Sequence, residues 1–269
     1  MSPSPAHAGI EDMAVRLQQA VQTRDAMRPP SAVQPGLTLD DAYAIQETWV
    51  ARQVAVGLRP VGYKLGLHSE ASQRALGTDR PIYGVLFADS ALASGASLRL
   101  DQLIAPRVEV ELAFVLGEAL DSSCTREQAL AAIAHAAPAL EIIDNRVLAQ
   151  DPQSGARRNA RDLVAENSAA SHHLVSQHRF DPRAVDMAAI EVTFTTSDGH
   201  SEGGRFDKVF GSPEMALVEL ARELGRRGKS LEPGDLVLCG SVIAAFALRP
   251  GMTLTADYGS LGQVELHTA

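Results

Sequence analysis

Glu109 and Glu111 stand two residues apart in the segment PRVEVELAFVLG, among Val108, Val110, Leu112, Phe114 and Val115. Such a run reads as a strand, whose side chains two positions apart share a face, roughly 6.6 Å apart along the chain. Carboxylates so placed repel each other unless water, a cation or a basic residue compensates. A third acid, Glu141 in PALEIID, has similar apolar neighbours. Three carboxylates meeting at one point, with no cysteine or clustered histidine beside them, suit a hard divalent cation such as magnesium, manganese or calcium; zinc normally recruits His or Cys. A dication would also offset the repulsion within the Glu-x-Glu pair. The plain alternative is a solvated strand face. Against it, Ala113 and Val115 follow on that face and the opposite face is wholly apolar, as in a strand buried on both sides. Asp144, at the end of the Glu141 strand, is either a competing ligand or a loop cap.

Lys64, in VGYKLGLHS, is the only charge in a second apolar, strand-like run. A buried lysine shifts its pKa readily, which suits proton transfer or contact with an anion. The alternative is an edge-strand lysine that snorkels to water. Ser241, in LCGSVIAAF, follows a strand and a glycine, where its hydroxyl either holds a carboxylate or closes a turn. The neighbouring His172 and His173 point apart on any regular element and receive no role.

These residues need elements to hold them. After a Pro/Ser-rich start expected to fray, Ile10–Met27 has helical spacing, with Ile10, Met13, Leu17 and Val21 on one side. A Pro-rich break leads to Thr38 and a second amphipathic helix marked by Ala42, Ile45, Trp49 and Val54, ending at Gly57. Residues 1–58 therefore read as an amino-terminal helical lobe and 59–269 as a β-rich core. Within the core, Thr125–Gln128 matches a capping box before an alanine-rich helix, EQALAAIAHAA, closed by Pro138. Ser212-Pro213-Glu214 opens a helix that runs to Arg227. The remaining runs, including IEVTFTT, DLVLCG, MTLTADYG and GQVELHT, are strand-like. Many strands with scattered helices give an α+β fold around a curled, mostly antiparallel sheet.

The 269 residues and 45% hydrophobic content allow one large core. A net charge of −9 without a basic run argues against nucleic acid as a partner. No apolar run approaches the length of a membrane span, and the first residues lack the pattern of a secretory signal. The two cysteines, Cys124 and Cys239, form no metal or redox motif. The expectation is a cytoplasmic protein.

Five stretches, in order, resemble the hydratase/decarboxylase branch of the fumarylacetoacetase superfamily: LDDAYAIQ, VGYKLGLHS, PRVEVELAFVL, PALEIIDNR and GSVIAAFALRPGMTLTADYGSLGQVEL. The resemblance covers nearly the whole chain. It implies Mg²⁺ or Mn²⁺ as cofactor, with Glu109, Glu111 and Glu141 as its ligands and Lys64 as the acid/base or substrate-orienting group. It also implies that Ser241, with the backbone near Leu67, touches a substrate carboxylate. A homo-oligomer is implied, and a complex with a related lyase subunit is a further expectation. Two positions depart from the family pattern: Ile82 stands where an acid is common, and Ile243 where a threonine often stands, which should make the pocket more apolar. The segment between Asn145 and Glu166 is longer than in simple pentenoate hydratases and similar to those acting on longer dicarboxylates.

The resemblance implies a metal-dependent lyase that hydrates a 2-hydroxyalka-2,4-dienoate to a 4-hydroxy-2-oxo acid. Decarboxylation of a 2-oxo-3-enedioate needs the same enolate and is the alternative. Hydrolytic C–C cleavage would require a His-Glu arrangement that the sequence does not offer, and a catalytically silent partner subunit is the non-enzymatic reading.

Overall fold

A computed structural model describes residues 5–269; the Pro/Ser-rich start expected to fray lies outside the described residues. Two sheets carry the fold. Their strands are β1 (Pro60–Gly66), β2 (Ile82–Phe87), β3 (Ala91–Leu92), β4 (Ala96–Leu98), β5 (Pro106–Leu116), β6 (Ile133–Asp144), β7 (Ala170–Val175), β8 (Glu191–Thr196), β9 (Ser201–Arg205), β10 (Leu236–Leu238), β11 (Phe246–Ala247), β12 (Thr253–Asp257) and β13 (Gln263–Thr268). The larger sheet, curled into a half-barrel, has the order β2-β1-β10-β5-β6-β7-β3, with β11 also pairing β5; the smaller has the order β4-β13-β12-β8-β9. Pairing is antiparallel except between β1 and β10, β4 and β13, and β3 and β7. The expected α+β class with a mostly antiparallel, curled sheet is what forms.

The helices are α1 (Pro5–Thr23), α2 (Pro30–Val33), α3 (Leu39–Ala55), α4 (Glu70–Ala75), α5 (Arg126–Ala132), α6 (Ala160–Ala165) and α7 (Met215–Gly225). Thr38 and Asp41 form a capping box that starts α3, so the chain enters this helix with its first donors satisfied. From α3, Tyr43 stacks on Tyr83 of β2, and the Gln46 amide donates to the Tyr83 carbonyl at 2.8 Å. Met13, Leu17 and Trp49 join the same apolar cluster as the strands, so the amino-terminal helices share one core with the sheet. Val21 and Val54, assigned to buried helix faces from their spacing, are exposed. Val21 lies in the last turn of α1, which stops at Thr23 rather than Met27. Val54 falls beside the buried stripe of α3, whose last turn is still tied to α1 through Gln53 and Gln18.

The alanine-rich segment corrects another expectation. Helix α5 ends at Ala132, and Ile133–Ala137 belong to β6. Alanine favours helix only weakly, and long-range pairing overrides it here: Ala136 and Ala137 lie opposite Phe114 and Ala113 of β5. Pro138 sits inside this strand instead of closing a helix. Its carbonyl accepts from Ser176 N–H at 2.9 Å, so its missing N–H faces the side where β7 has already ended at Val175.

Candidate active site

Strands β5 and β6 pair with Glu109 directly opposite Glu141, so like charges meet across the ladder as well as along it. One ligand oxygen or more from each of Glu109, Glu111 and Glu141 falls within 4.8 Å of the others. Glu111 and Glu141 are wholly buried, while Glu109 faces a cleft. The three acids quoted from the sequence therefore do converge.

What compensates them, in part, is Lys64. Its Nζ lies 3.0 Å from Glu141 Oε2 and 3.8 Å from Glu109 Oε2. Burial pulls this ammonium toward neutrality, but Glu141, Glu109 and Glu111 together outweigh burial and hold its pKa above the usual lysine value. Lys64 is thus buried and charged, not a snorkelling edge residue. Burial pushes Glu111 well above the ordinary carboxylate range, and Glu141 and Glu109 push it further. Glu141 is pushed up to about 7, by burial first, with Lys64 opposing and Glu109 adding to the rise.

One ammonium does not satisfy this cluster. Glu111 Oε2 accepts the Gly240 N–H at 2.7 Å, yet Glu111 Oε1 and Glu141 Oε1 are buried with no hydrogen-bond partner. Orphaned anionic oxygens aimed at one point are what a hard dication needs, and the all-carboxylate donor set suits Mg²⁺ or Mn²⁺. The residues fit such an ion. Asp144 does not join them: its carboxylate accepts from Ile104 N–H at 3.0 Å and Ala105 N–H at 2.7 Å, the loop-cap alternative.

Beside the acids opens a cleft of about 370 Å³. Leu67, Ser241, Ile82 and Ile243 all line it, so the two departures from the family pattern do face the pocket and make it more apolar. Leu67 holds φ at 58°, a left-handed conformation that costs a branched side chain free energy and turns the backbone from β1 toward α4. The Ser241 hydroxyl already donates to the Ile243 carbonyl at 3.0 Å and accepts from Val110 N–H at 3.1 Å. A substrate contact there requires that donation to be redirected. Of the unassigned histidines, His172 Nδ1 pairs with Ser171 Oγ at 2.9 Å, whereas His173 is buried with Nδ1 unpartnered.

Sequence reasoning missed several lining groups. Asn167, Ser168 and Ala169 all hold positive φ, and the last two form part of the cleft wall. The Asn167 side chain accepts from Val85 N–H at 2.8 Å and donates to the Val85 carbonyl at 2.9 Å, mimicking a strand partner for β2. Gly84 makes this possible, since a Cβ there would sit 2.3 Å from the Asn167 carbonyl oxygen. ENSAA has no glycine, and its asparagine is a sign of one left-handed residue, not of three. His68, quoted within the lysine strand but given no role, also lines the cleft; burial lowers its pKa, with Glu109 opposing and Lys64 adding to the fall. Arg107 was legible in principle, because it shares the face of Glu109 by the same alternation.

Fold and site together define the class. The Fumarylacetoacetate (FAA) hydrolase C-terminal family matches residues 58–268, and the chain belongs to it. Among its relatives, a 2-keto-4-pentenoate hydratase of Paraburkholderia xenovorans (strain LB400) is 33% identical over 257 residues, covering 94% of this chain and 93% of that one. A 2-oxo-hept-4-ene-1,7-dioate hydratase of Escherichia coli is 33% identical over 253 residues, covering 94% and 95%. In structure, the chain is similar to 4-oxalocrotonate decarboxylase from Pseudomonas putida G7, complexed with magnesium and adipate, with a TM-score of 0.92, 25% identity and 100% of both chains covered. Among the described residues no helix is long and apolar enough to cross a membrane.

Proposed function

We propose that this protein is a divalent-metal-dependent lyase that hydrates a 2-hydroxyalka-2,4-dienoate to a 4-hydroxy-2-oxo acid. The observation that carries the reading is the convergence of Glu109, Glu111 and Glu141 on one point beside a cleft, with buried oxygens left unpartnered. Relatives named as hydratases, matched over nearly the whole chain, support it. Glu109, Glu111 and Glu141 would hold Mg²⁺ or Mn²⁺. When bound, such an ion supplies Lewis-acid stabilisation of the charge that develops on the 2-oxo oxygen of the substrate.

The chain's own groups do the rest. Lys64, 3.0 Å from Glu141 and on the cleft wall, is placed to give a proton or hydrogen bond to the reacting end and to take a proton back. The backbone at Leu67 and the hydroxyl of Ser241 orient the substrate carboxylate. Ile82 and Ile243 line part of the cleft with hydrocarbon, suited to the apolar carbons of the substrate. The dienol takes a proton at C5 and gives up its 2-hydroxyl proton, leaving a 2-oxo-3-enoate. Water then adds at C4 with loss of one proton, and a proton returns at C3 to give the 4-hydroxy-2-oxo acid.

Decarboxylation of a 2-oxo-3-enedioate is the second reading, favoured specifically by Ile82. A buried isoleucine at the cleft wall offers no group to activate a water molecule. Incubation with 2-hydroxypenta-2,4-dienoate and with 2-oxohex-3-enedioate in Mg²⁺ or Mn²⁺, following dienol absorbance and carbon dioxide, separates the two. Glu109→Ala is expected to abolish turnover and weaken metal binding. Full activity of that variant, or of the wild type in excess chelator, would sink the mechanism. The reading also takes the enzyme to be a cytoplasmic homo-oligomer, consistent with two buried free thiols and checked by light scattering and fractionation.

A further inference from the structure

We propose that Arg107 and Arg158 form a second anion subsite that makes the substrate a dicarboxylate, a 2-oxo acid of six or seven carbons with a carboxylate at each end. The inference rests on the proposed function for its first half, the 2-oxo acid end held at Glu109, Glu111, Glu141 and Lys64. Its second half comes from the far end of the cleft.

Along one face of β5, Ala113, Glu111, Glu109 and Arg107 follow in order. Lys64 belongs to the Ala113 row, through Leu238 of β10. Arg107 therefore stands on the other side of the acids from Lys64, one same-face step beyond Glu109, which is about 6.8 Å in an antiparallel strand. That step is comparable with the span of an extended six-carbon diacid. Arg107, Asn145 and Arg158 line both this cleft and an adjoining one that reaches neither Lys64 nor the glutamates, so they mark the end remote from the acids.

Both guanidiniums line the cleft with N–H groups to spare. Arg107 donates from Nε and Nη2 to the Ala245 carbonyl, at 2.9 and 2.5 Å, and among the described residues it makes no ion pair. Arg158 donates from Nη1 to the Val147 carbonyl at 3.0 Å and is partly offset by Glu166 Oε1, 4.0 Å away, while Glu166 Oε2 accepts from Arg146 N–H and Val147 N–H. Among the described residues, Nε and Nη2 of Arg158 make no hydrogen bond. Carbonyl anchors fix each planar fork while leaving N–H groups free, the arrangement that recognises a carboxylate. Glu109 is the one acid on the cleft wall, against Lys64 and the two arginines. Once a dication offsets the carboxylate cluster, such a lining favours a dianion over a monoanion.

The long segment from Asn145 to Glu166 acquires a purpose from this. Arg28 clasps Asp151 at 2.6 and 3.0 Å, and Ser31 bonds Asp162 through its N–H and hydroxyl, both at 2.8 Å. These ties fasten both parts of the segment to the loop between α1 and α2 and to α2 itself, so that Arg158 is delivered to the cleft on a fixed support.

The test compares kcat/KM for 2-oxo-hept-4-ene-1,7-dioate and 2-hydroxypenta-2,4-dienoate in the full-length protein with Mg²⁺. The dicarboxylate should be preferred at least about tenfold, the worth of one charge-assisted contact, through KM rather than kcat. In Arg107→Gln and Arg158→Gln that ratio should fall by a similar factor, with Arg107→Lys recovering part of it. The ratio is internal to each variant, so partial misfolding does not imitate the result. Equal use of both substrates by the wild type, or an unchanged ratio in both glutamine variants, overturns the second subsite while leaving the lyase reading intact. Turnover of neither substrate, with adipate and pyruvate both failing to bind in Mg²⁺, overturns the two together.

Discussion

Lys64 on β1 reaches across β10 and β5 to Glu141 on β6, bringing Nζ to 3.0 Å from Oε2 in a region closed to solvent. The ammonium occupies part of the electrostatic role that a dication would fill. Removing it should therefore be costly only when no metal is present. In chelator at pH 8, Lys64→Met is expected to lose on the order of 3 kcal/mol of stability, the usual penalty for leaving a buried charge unpaired. Saturating Mg²⁺ should restore most of that loss, and metal affinity should be unchanged or tighter while turnover falls by about 10²-fold or more. Denaturant melts and calorimetric titration decide it: an equal loss with and without metal would mean that Lys64 and the ion do not share the same carboxylates.

Glu111 gives the opposite signature. Burial, Glu141 and Glu109 all favour its protonated form, so in the metal-free protein an amide should replace it with little disturbance. Glu111→Gln also keeps an acceptor for the Gly240 N–H. Its stability in chelator should stay within about 1 kcal/mol of the wild type. The rise in Tm on adding Mg²⁺ or Mn²⁺ should vanish, because the ligand set has lost an anion. A variant that still gains the full wild-type shift would remove Glu111 from the metal site.

The alternation of strand side chains made the shared face of Glu109 and Glu111 readable, and the isolated charge in VGYKLGL marked Lys64. What alternation does not contain is register. That Glu109 lies opposite Glu141, and that Lys64 spans two strands to meet them, depends on pairings between segments dozens of residues apart. Local propensity misled where it was weakest: Ile133–Ala137 has helix-forming alanines but takes its conformation from β5. The left-handed turn at Asn167–Ala169 was hard to read because only its asparagine favours that conformation, while Ser168 and Ala169 are held there by the bonding of Asn167 to β2. Arg158 was invisible for a similar reason, since its place depends on ties between the 145–166 segment and Arg28 and Ser31.

His173 supplies a pH dependence of definite sign. Burial first, and then His172, lower its pKa to about 4 in the folded protein. Between that value and the ~6.5 of an unfolded histidine, the unfolded chain takes up the proton and the folded chain does not. This residue's contribution to stability is therefore complete above about pH 6.5 and is lost as pH falls toward 4, by on the order of 3 kcal/mol. Glu141 and Glu166, both pushed up to about 7 by burial first, act in the opposite direction over part of that window. The difference between wild type and His173→Gln isolates the histidine. Urea melts from pH 7 to 4 should show the wild type losing stability relative to the variant, and parallel curves would refute the assignment.

Gly84 ties the cleft wall to the lysine strand. It lies opposite Lys64 in the β1–β2 ladder, and its missing Cβ leaves room for the Asn167 carbonyl, 2.3 Å from where that carbon would stand. Gly84→Ala cannot be absorbed by a side-chain rotation, because the clash is with backbone. Either β2 moves away from the Asn167–Ala169 turn, breaking the two Asn167 bonds to Val85, or the turn itself shifts and takes Ser168 and Ala169 with it. Overpacking of this kind costs about 1–3 kcal/mol. Because the shifted residues line the cleft rather than hold the metal, KM should rise severalfold while Mg²⁺ affinity stays near the wild-type value. Gly203→Ala in β9 is a control for adding a methyl to a strand glycine, since a Cβ at that position would meet nothing within 4 Å. It should change stability little and leave KM alone. If both variants raised KM equally, the close approach at Gly84 would not be what shapes the pocket.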